Sequence, residues 1–323
     1  MLLTFYIYIF ILGLLFGSFA TVLITRWHEH EDGIVFGRSK CPKCHHTLSW
    51  FELFPLLSYL GLLGRCRKCH ARIPSFYPLA EGVMGFIFLL LTYSYIRNFG
   101  FEMSPTYVLL LILGFITGVY VLADIRYMEI PDEIMVPGIY GYVALLLLGY
   151  LSEDISLLFF DRGTYIDSYT SFLKDHFLAA LILYSFFYLQ ILIPAAIQLG
   201  KKERWKEIGE VGLSYFTFPY YLLFPPKDDK KDEGNEEALE TWIGGGDLRI
   251  AIFIGLTLGI YHGIFAFFIA YIVGSFFGIV ILIFQGKKKS QVPFGPFLAL
   301  GWCSALYYHS EILIMLEFYK SLF

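Results

Sequence analysis

Two aspartates stand where an ionisable group is costly. Asp124 closes the apolar run Val121-Leu122-Ala123-Asp124, and Asp247 follows three glycines in Gly244-Gly245-Gly246-Asp247. Carboxylates at membrane depth are functional suspects because hydrocarbon solvates their charge so poorly. Two that share a site cannot both ionise easily, so one stays protonated while the other activates water for attack on an amide carbonyl, and they titrate as a pair. The glycines before Asp247 admit positive φ and close approach of another backbone, which suits a slot for an extended chain. Simpler readings stay open: Asp124 as the point where a helix leaves the bilayer, and Asp247 as a helix N-cap favoured by the helix dipole. Asp132 and Glu133 fit the first turn of the next helix as dipole partners, with Asp132 near enough in sequence to assist. Glu81 lies early in an apolar span, where it could pair with a loop arginine or contact substrate. His309 and Glu311, near the far end of the last span, read as packing or snorkelling residues.

A second group of reactive side chains is built for a metal. Cys41-Pro-Lys-Cys44 and Cys66-Arg-Lys-Cys69 are two C-x-x-C pairs with 21 residues between them. Each pair offers two thiolates at the right spacing for one tetrahedral ion, and two pairs complete a zinc-ribbon-like site. A closed four-thiolate Zn2+ site has no open position for water or substrate, so its role is structural. Disulfides are the competing reading, disfavoured in a reducing compartment. His45, His46 and His70 adjoin the ligands, and Cys303 reads as a small apolar packing residue.

The elements that must position these groups are membrane helices. The 323 residues are 57% hydrophobic and 16% charged, with mean hydropathy +0.62. The net charge of −4 points to neither nucleic acid nor an acidic substrate. Runs long enough to cross about 30 Å of hydrocarbon fall at 2–25, 77–96, 104–123, 134–151, 175–199 and 294–318, and the 36 uncharged residues 250–285 divide at Gly259–Gly263 into a hairpin. The expectation is an all-α integral membrane protein of about eight spans, with residues 1–25 as a retained first helix. With the N-terminus outside, the segments 26–73, 124–133, 200–249 and 286–293 hold 20 of the 24 Lys and Arg residues and are cytoplasmic by the positive-inside rule. The uncharged segment 211–226, flanked by basic residues, reads as interfacial, and 227–240 as a solvated loop. Residues 26–76 then form a cytoplasmic cysteine loop domain, and 77–323 a membrane domain with a cytoplasmic insertion at about 201–245.

In order along the chain, Gly17-Ser18-Phe19, Ser39-Lys-Cys41-Pro-Lys-Cys44, Leu48-Ser-Trp50, Pro55-Leu-Leu-Ser-Tyr59, Gly64-Arg-Cys66-Arg-Lys-Cys69, Tyr77-Pro-Leu-Ala-Glu81, Asp124 with Ile130-Pro131-Asp132, Gly244-Gly-Gly-Asp247 and Pro293-Phe-Gly-Pro296 resemble the type IV prepilin peptidases, membrane aspartyl proteases with a Gly-x-Gly-Asp motif. The resemblance implies cleavage of the basic leader of type IV prepilins or type II secretion pseudopilins, after Gly and before an apolar residue, with Asp124 and Asp247 in the two catalytic positions. It implies a multi-pass protein of the bacterial inner (cytoplasmic) membrane whose active site faces the cytoplasm. Many such enzymes also methylate the new N-terminus with S-adenosylmethionine, and Glu81 is the candidate group for that reaction. One departure bears on docking: Arg249 stands where Lys is usual, which keeps the charge on a larger planar head. The rival classes are an ion-transporting protein, which would want internal repeats and carboxylates nearer the bilayer midplane, and a non-catalytic assembly scaffold in which both aspartates are dispensable.

Overall fold

Helices form wherever the apolar runs are long, and small residues decide how closely they approach. A computed structural model describes residues 2–29, 37–101, 104–152, 169–201, 244–285 and 292–322. The long helices are α1 (Leu2–His28), α3 (Phe76–Phe99), α4 (Pro105–Tyr127), α5 (Asp132–Ser152), α6 (Tyr169–Lys201) and α7 (Gly245–Gln285). A 3-10 turn at Trp50–Leu53 and the short α2 (Leu57–Gly61) lie between the cysteine pairs, and α8 (Gly295–Tyr307) and α9 (His309–Ser321) end the chain. No strand occurs among the described residues, only isolated bridges at Lys40–Thr47 and Arg65–Arg72. Five of these helices are long and apolar enough to cross a membrane, so the chain is a multi-pass membrane protein. The segments 211–226 and 227–240 lie outside the described residues.

In lipid, apolar side chains gain little by leaving one apolar medium for another, so close backbone packing carries much of the association. A Cβ on Gly13 would come within 2.6 Å of the Gly85 Cα, and one on Gly17 within 2.7 Å of the Glu81 Cα. These two glycines therefore seat α1 against α3. The same device recurs where Gly255 meets Ala180 and where Gly301 meets Ala266. Ser104 caps α4, its side chain accepting from the Tyr107 N–H, with Pro105 in the first turn where no donor is lost.

The long uncharged run does fold back. At Gly259 the backbone leaves helical geometry at φ 72°, ψ −176°. Gly255 and Gly263, eight residues apart, touch Ala180 and Leu183, three apart on α6. Thr257 and Ala266, nine apart, touch Trp302 and Gly301. A straight helix would separate these pairs by about 12 Å and 13 Å, so α7 reverses at Gly259. The Asp175 carboxylate accepts the Ile260 N–H at 3.1 Å, occupying the space a Gly259 side chain would need.

Two boundaries differ from expectation. Helix α6 begins at Tyr169, several residues before the apolar run, and the final span is two helices broken at Tyr308. His309 at the break is buried and hydrogen-bonds His262 at 2.9 Å, while Glu311 pairs with Arg97. His309 is thus a packing residue, while Glu311 is held at the far end by its ion pair.

Candidate active site and cysteine cluster

The C-terminal ends of α1 and α4 and the N-terminal ends of α5 and α7 meet around one cavity of about 310 Å3. Asp124 lies in the last turn of α4, its carbonyl accepting the N–H of Met128, whose left-handed φ of 55° ends the helix. Asp247 lies in the first turn of α7, where its Oδ2 accepts the Gly244 N–H at 3.2 Å. Both aspartates line the cavity with Trp27, Ile130 and the glycines 244–246. Asp124 is 7% and Asp247 8% exposed. A residue that merely marked a helix leaving the bilayer would be solvated; these are desolvated carboxylates turned to a shared space.

The glycines have specific neighbours. Gly295 donates its N–H to Asp124 Oδ2 at 2.7 Å, and a Cβ there would meet that oxygen at 2.7 Å. The start of α8 thus presents a bare amide and the positive end of a helix dipole to Asp124. A Cβ on Gly246 would meet Ile130 Cδ1 at 2.8 Å, so the loop after α4 and the glycine run can press together only without a side chain. Each aspartate has one oxygen committed to a backbone N–H, and among the described residues the other has no hydrogen-bond partner. Asp247 is thus not the N-cap residue but the third residue of α7, and its carboxylate reaches back to the N–H of Gly244 at the helix start.

Asp132 forms an ion pair with Arg249 at 2.7 Å across the cavity wall. That contact joins the start of α5 to the start of α7. Arg126 lies over the rings of Phe76, Tyr77 and Tyr127, and His28 stacks on Tyr127 and faces Glu129 at 3.5 Å. Two contributors escaped the sequence reading. Trp27 was hidden as one aromatic at the end of an apolar helix, and Gly295 was visible within Pro293-Phe-Gly-Pro296 without a hint that its amide binds Asp124.

Glu81 does not line the cavity, and among the described residues it meets no arginine. Its carboxylate accepts the Leu56 N–H at 2.8 Å, tying α3 to the cysteine loop, while Gly17 of α1 packs against its Cα.

The four loop cysteines gather as the spacing demands. Their sulfurs lie within 4.8 Å of one another, with Cys41–Cys69 at 3.8 Å and Cys44–Cys66 at 4.0 Å. A tetrahedral ion with sulfur ligands at about 2.3 Å needs sulfurs about 3.8 Å apart, so the cluster fits a metal ion. The two knuckles copy each other. His45 and His70 both adopt φ 54° and return their N–H to the first cysteine's carbonyl, Cys41 and Cys66. The N–H groups of Cys69 and Lys68 lower the Cys66 thiol to about 6. At Cys44 the His46 N–H favours the thiolate, but desolvation and the three other sulfurs push it up to about 11. No histidine joins the cluster; His46 instead pairs with the buried Glu52 at 3.5 Å. Cys303 is buried in α8, as a packing residue would be.

Residues 108–279 match the type IV leader peptidase family, and residues 11–95 match the N-terminal domain of bacterial A24 peptidases. The chain belongs to the type IV leader peptidase family. It is 26% identical to the prepilin leader peptidase/N-methyltransferase of Bacillus subtilis over 306 residues, covering 94% of this chain and 95% of that protein. The enzyme of the same name from Aeromonas salmonicida is 25% identical over 329 residues, covering 93% and 89%. That of Myxococcus xanthus is 38% identical over 143 residues, covering 44% and 40%. No solved structure matches the chain. Within the family, the N-terminal match takes in most of α1, the cysteine loop and most of α3, and the peptidase match takes in both aspartates.

Proposed function

We infer that this protein is a membrane aspartic endopeptidase acting on type IV prepilins or type II secretion pseudopilins, with Asp124 and Asp247 as its catalytic pair. The observation that carries the assignment is that two nearly buried carboxylates from distant parts of the chain line one cavity at the helix ends. A substrate whose leader is basic and whose next segment is an apolar helix carries its scissile bond at the membrane surface, where such a cavity can receive it. The bond lies after Gly and before an apolar residue. The peptide carbonyl enters between the aspartates; one, protonated, donates to the carbonyl oxygen, and the other takes a proton from the attacking water. Gly295 N–H holds Asp124 in place and Gly244 N–H holds Asp247, so each acts through its remaining oxygen. The glycines 244–246 leave room for an extended substrate backbone.

The full architecture in this reading has eight spans, counting the two arms of α7 and the broken final pair, with the site on the cytoplasmic face of the bacterial inner membrane. The segment 201–245 is a cytoplasmic insertion. Zn2+ is the metal that suits the four cysteines, and when bound it would lock the loop's two knuckles together. The relatives' names also carry N-methyltransferase activity, and methylation of the new N-terminus from S-adenosylmethionine belongs to the same reading. Glu81 enters that second reaction by holding Leu56 and the loop in place. The test is to incubate the purified protein with a prepilin and follow product masses with and without S-adenosylmethionine. Leader loss abolished by Asp247→Asn supports the peptidase, and a methyl mass gain supports the transferase. Native-rate cleavage by folded Asp247→Asn protein contradicts the assignment.

A further inference from the structure

The segment between the cysteine pairs exposes apolar surface on a loop that is otherwise basic. Trp50 is 73% exposed, Leu57 70%, Leu60 66% and Leu63 85%, with Leu53 and Phe54 beside them. Leu57 and Leu60 share one face of α2, three residues apart, and the ring of Trp50 packs edge-on against Phe54 at 5.6 Å. Side-chain contacts fix this segment to the two knuckles. Glu52 accepts the Ser49 N–H at 2.8 Å and pairs with His46, and Arg67 of the second knuckle lies 5.0 Å over the Phe51 ring.

Its height follows from the Leu56 N–H to Glu81 contact of 2.8 Å. Glu81 is the sixth residue of α3, about 7.5 Å along the helix from its start. That start is marked as a membrane interface by Phe76 and Tyr77 under the Arg126 guanidinium. Interfacial segments seat their apolar face about 5–10 Å into the boundary between headgroups and acyl chains. The match places Leu56 at that depth, and a backbone N–H there needs the acceptor that Glu81 supplies.

The charge identifies the surface. Between residues 37 and 75 there are seven Lys and Arg residues, all exposed, against one acidic residue, the buried Glu52. A four-thiolate zinc centre would remove two units from this excess and leave it positive. Each basic group near an anionic leaflet adds attraction.

We propose that residues 50–63 are a membrane-surface anchor: Trp50, Phe54, Leu57, Leu60 and Leu63 insert into an anionic bilayer and hold the cysteine loop down beside α3. The proposal is independent of the reaction assigned to the aspartates. It is tested with the full-length protein in nanodiscs of phosphatidylethanolamine and phosphatidylglycerol, with plain or brominated acyl chains. The Trp50 emission is taken as the difference between native protein and Trp50→Phe, a change at an exposed ring with little effect on packing. Brominated lipid is expected to quench that emission at least twofold without substrate, and less when phosphatidylcholine replaces phosphatidylglycerol. Emission that brominated lipid leaves unchanged while aqueous iodide quenches it overturns the anchor. So does shielding that appears only after a prepilin is added, which would make the patch a substrate dock. Quenching that is indifferent to the anionic lipid overturns the choice of an anionic surface.

Discussion

At the scale of single residues, two positions around the aspartates give sharp expectations. Gly295→Ala places a methyl against Asp124 Oδ2 and Cγ, at 2.7 Å and 3.3 Å in the native geometry. The carboxylate must move, and a displacement of about 1 Å can cost about 10²-fold in rate. Prepilin cleavage should fall by about that factor, with the thermal midpoint in detergent nearly unchanged. Arg249→Ala leaves Asp132 without its partner at 2.7 Å in a partly exposed wall. The expected loss of stability is about 1–2 kcal/mol, between surface and buried pairs, read from thermal unfolding, with Arg249→Lys recovering most of it. The aspartates were legible because a carboxylate beside an apolar run is chemically out of place. Gly295 was not, because its role depends on an amide meeting a residue 171 positions away. Separation in sequence also hid Trp27, which resembles any aromatic at the end of a spanning helix.

At the scale of elements, close approach explains most of the bundle. Gly301→Leu would drive a side chain into the Ala266 carbonyl, 2.0 Å from the Cβ position. Overpacking of this kind costs about 1–3 kcal/mol, visible as a lowered unfolding midpoint. The reversal at Gly259 could be read from a run too long for one span. The break at Tyr308 could not, because no proline or glycine stands beside it and His309-Ser310-Glu311 after it read as the polar end of a span. The cysteine knuckles were readable from spacing, whereas their left-handed histidines at φ 54° were not. Metal affinity of the loop should rise with pH. Cys44, pushed up to about 11, holds its proton at neutral pH and must release it on binding, so competition titrations from pH 6 to 8 should show progressively tighter binding.

At the scale of the molecule, the protein joins a helical bundle that encloses the aspartate cavity to a loop folded around four cysteines. Removing a metal bound by that loop should loosen residues 37–75 while α1, α4, α5 and α7 continue to frame the cavity. Hydrogen exchange after chelation is expected to accelerate in the loop far more than in those helices. Helical composition, the basic loops and the cysteine spacing announced this division. What brings Asp124 to Asp247 is long-range packing: Gly246 against Ile130, Gly295 against Asp124, and the Asp132–Arg249 pair. None of these has a local signature.

In the proposed mechanism Asp124 and Asp247 work as one unit. The measurement that reaches it most directly is a cleavage-rate cycle with Asp124→Asn, Asp247→Asn and the double variant, each shown to be folded by thermal unfolding. Each single change should lower the rate by about 10²–10⁴-fold, and the double should be no slower than the slower single, because residues that act together are strongly non-additive. Losses that multiply in the double variant, or a single variant that cleaves at the native rate, would contradict the paired mechanism.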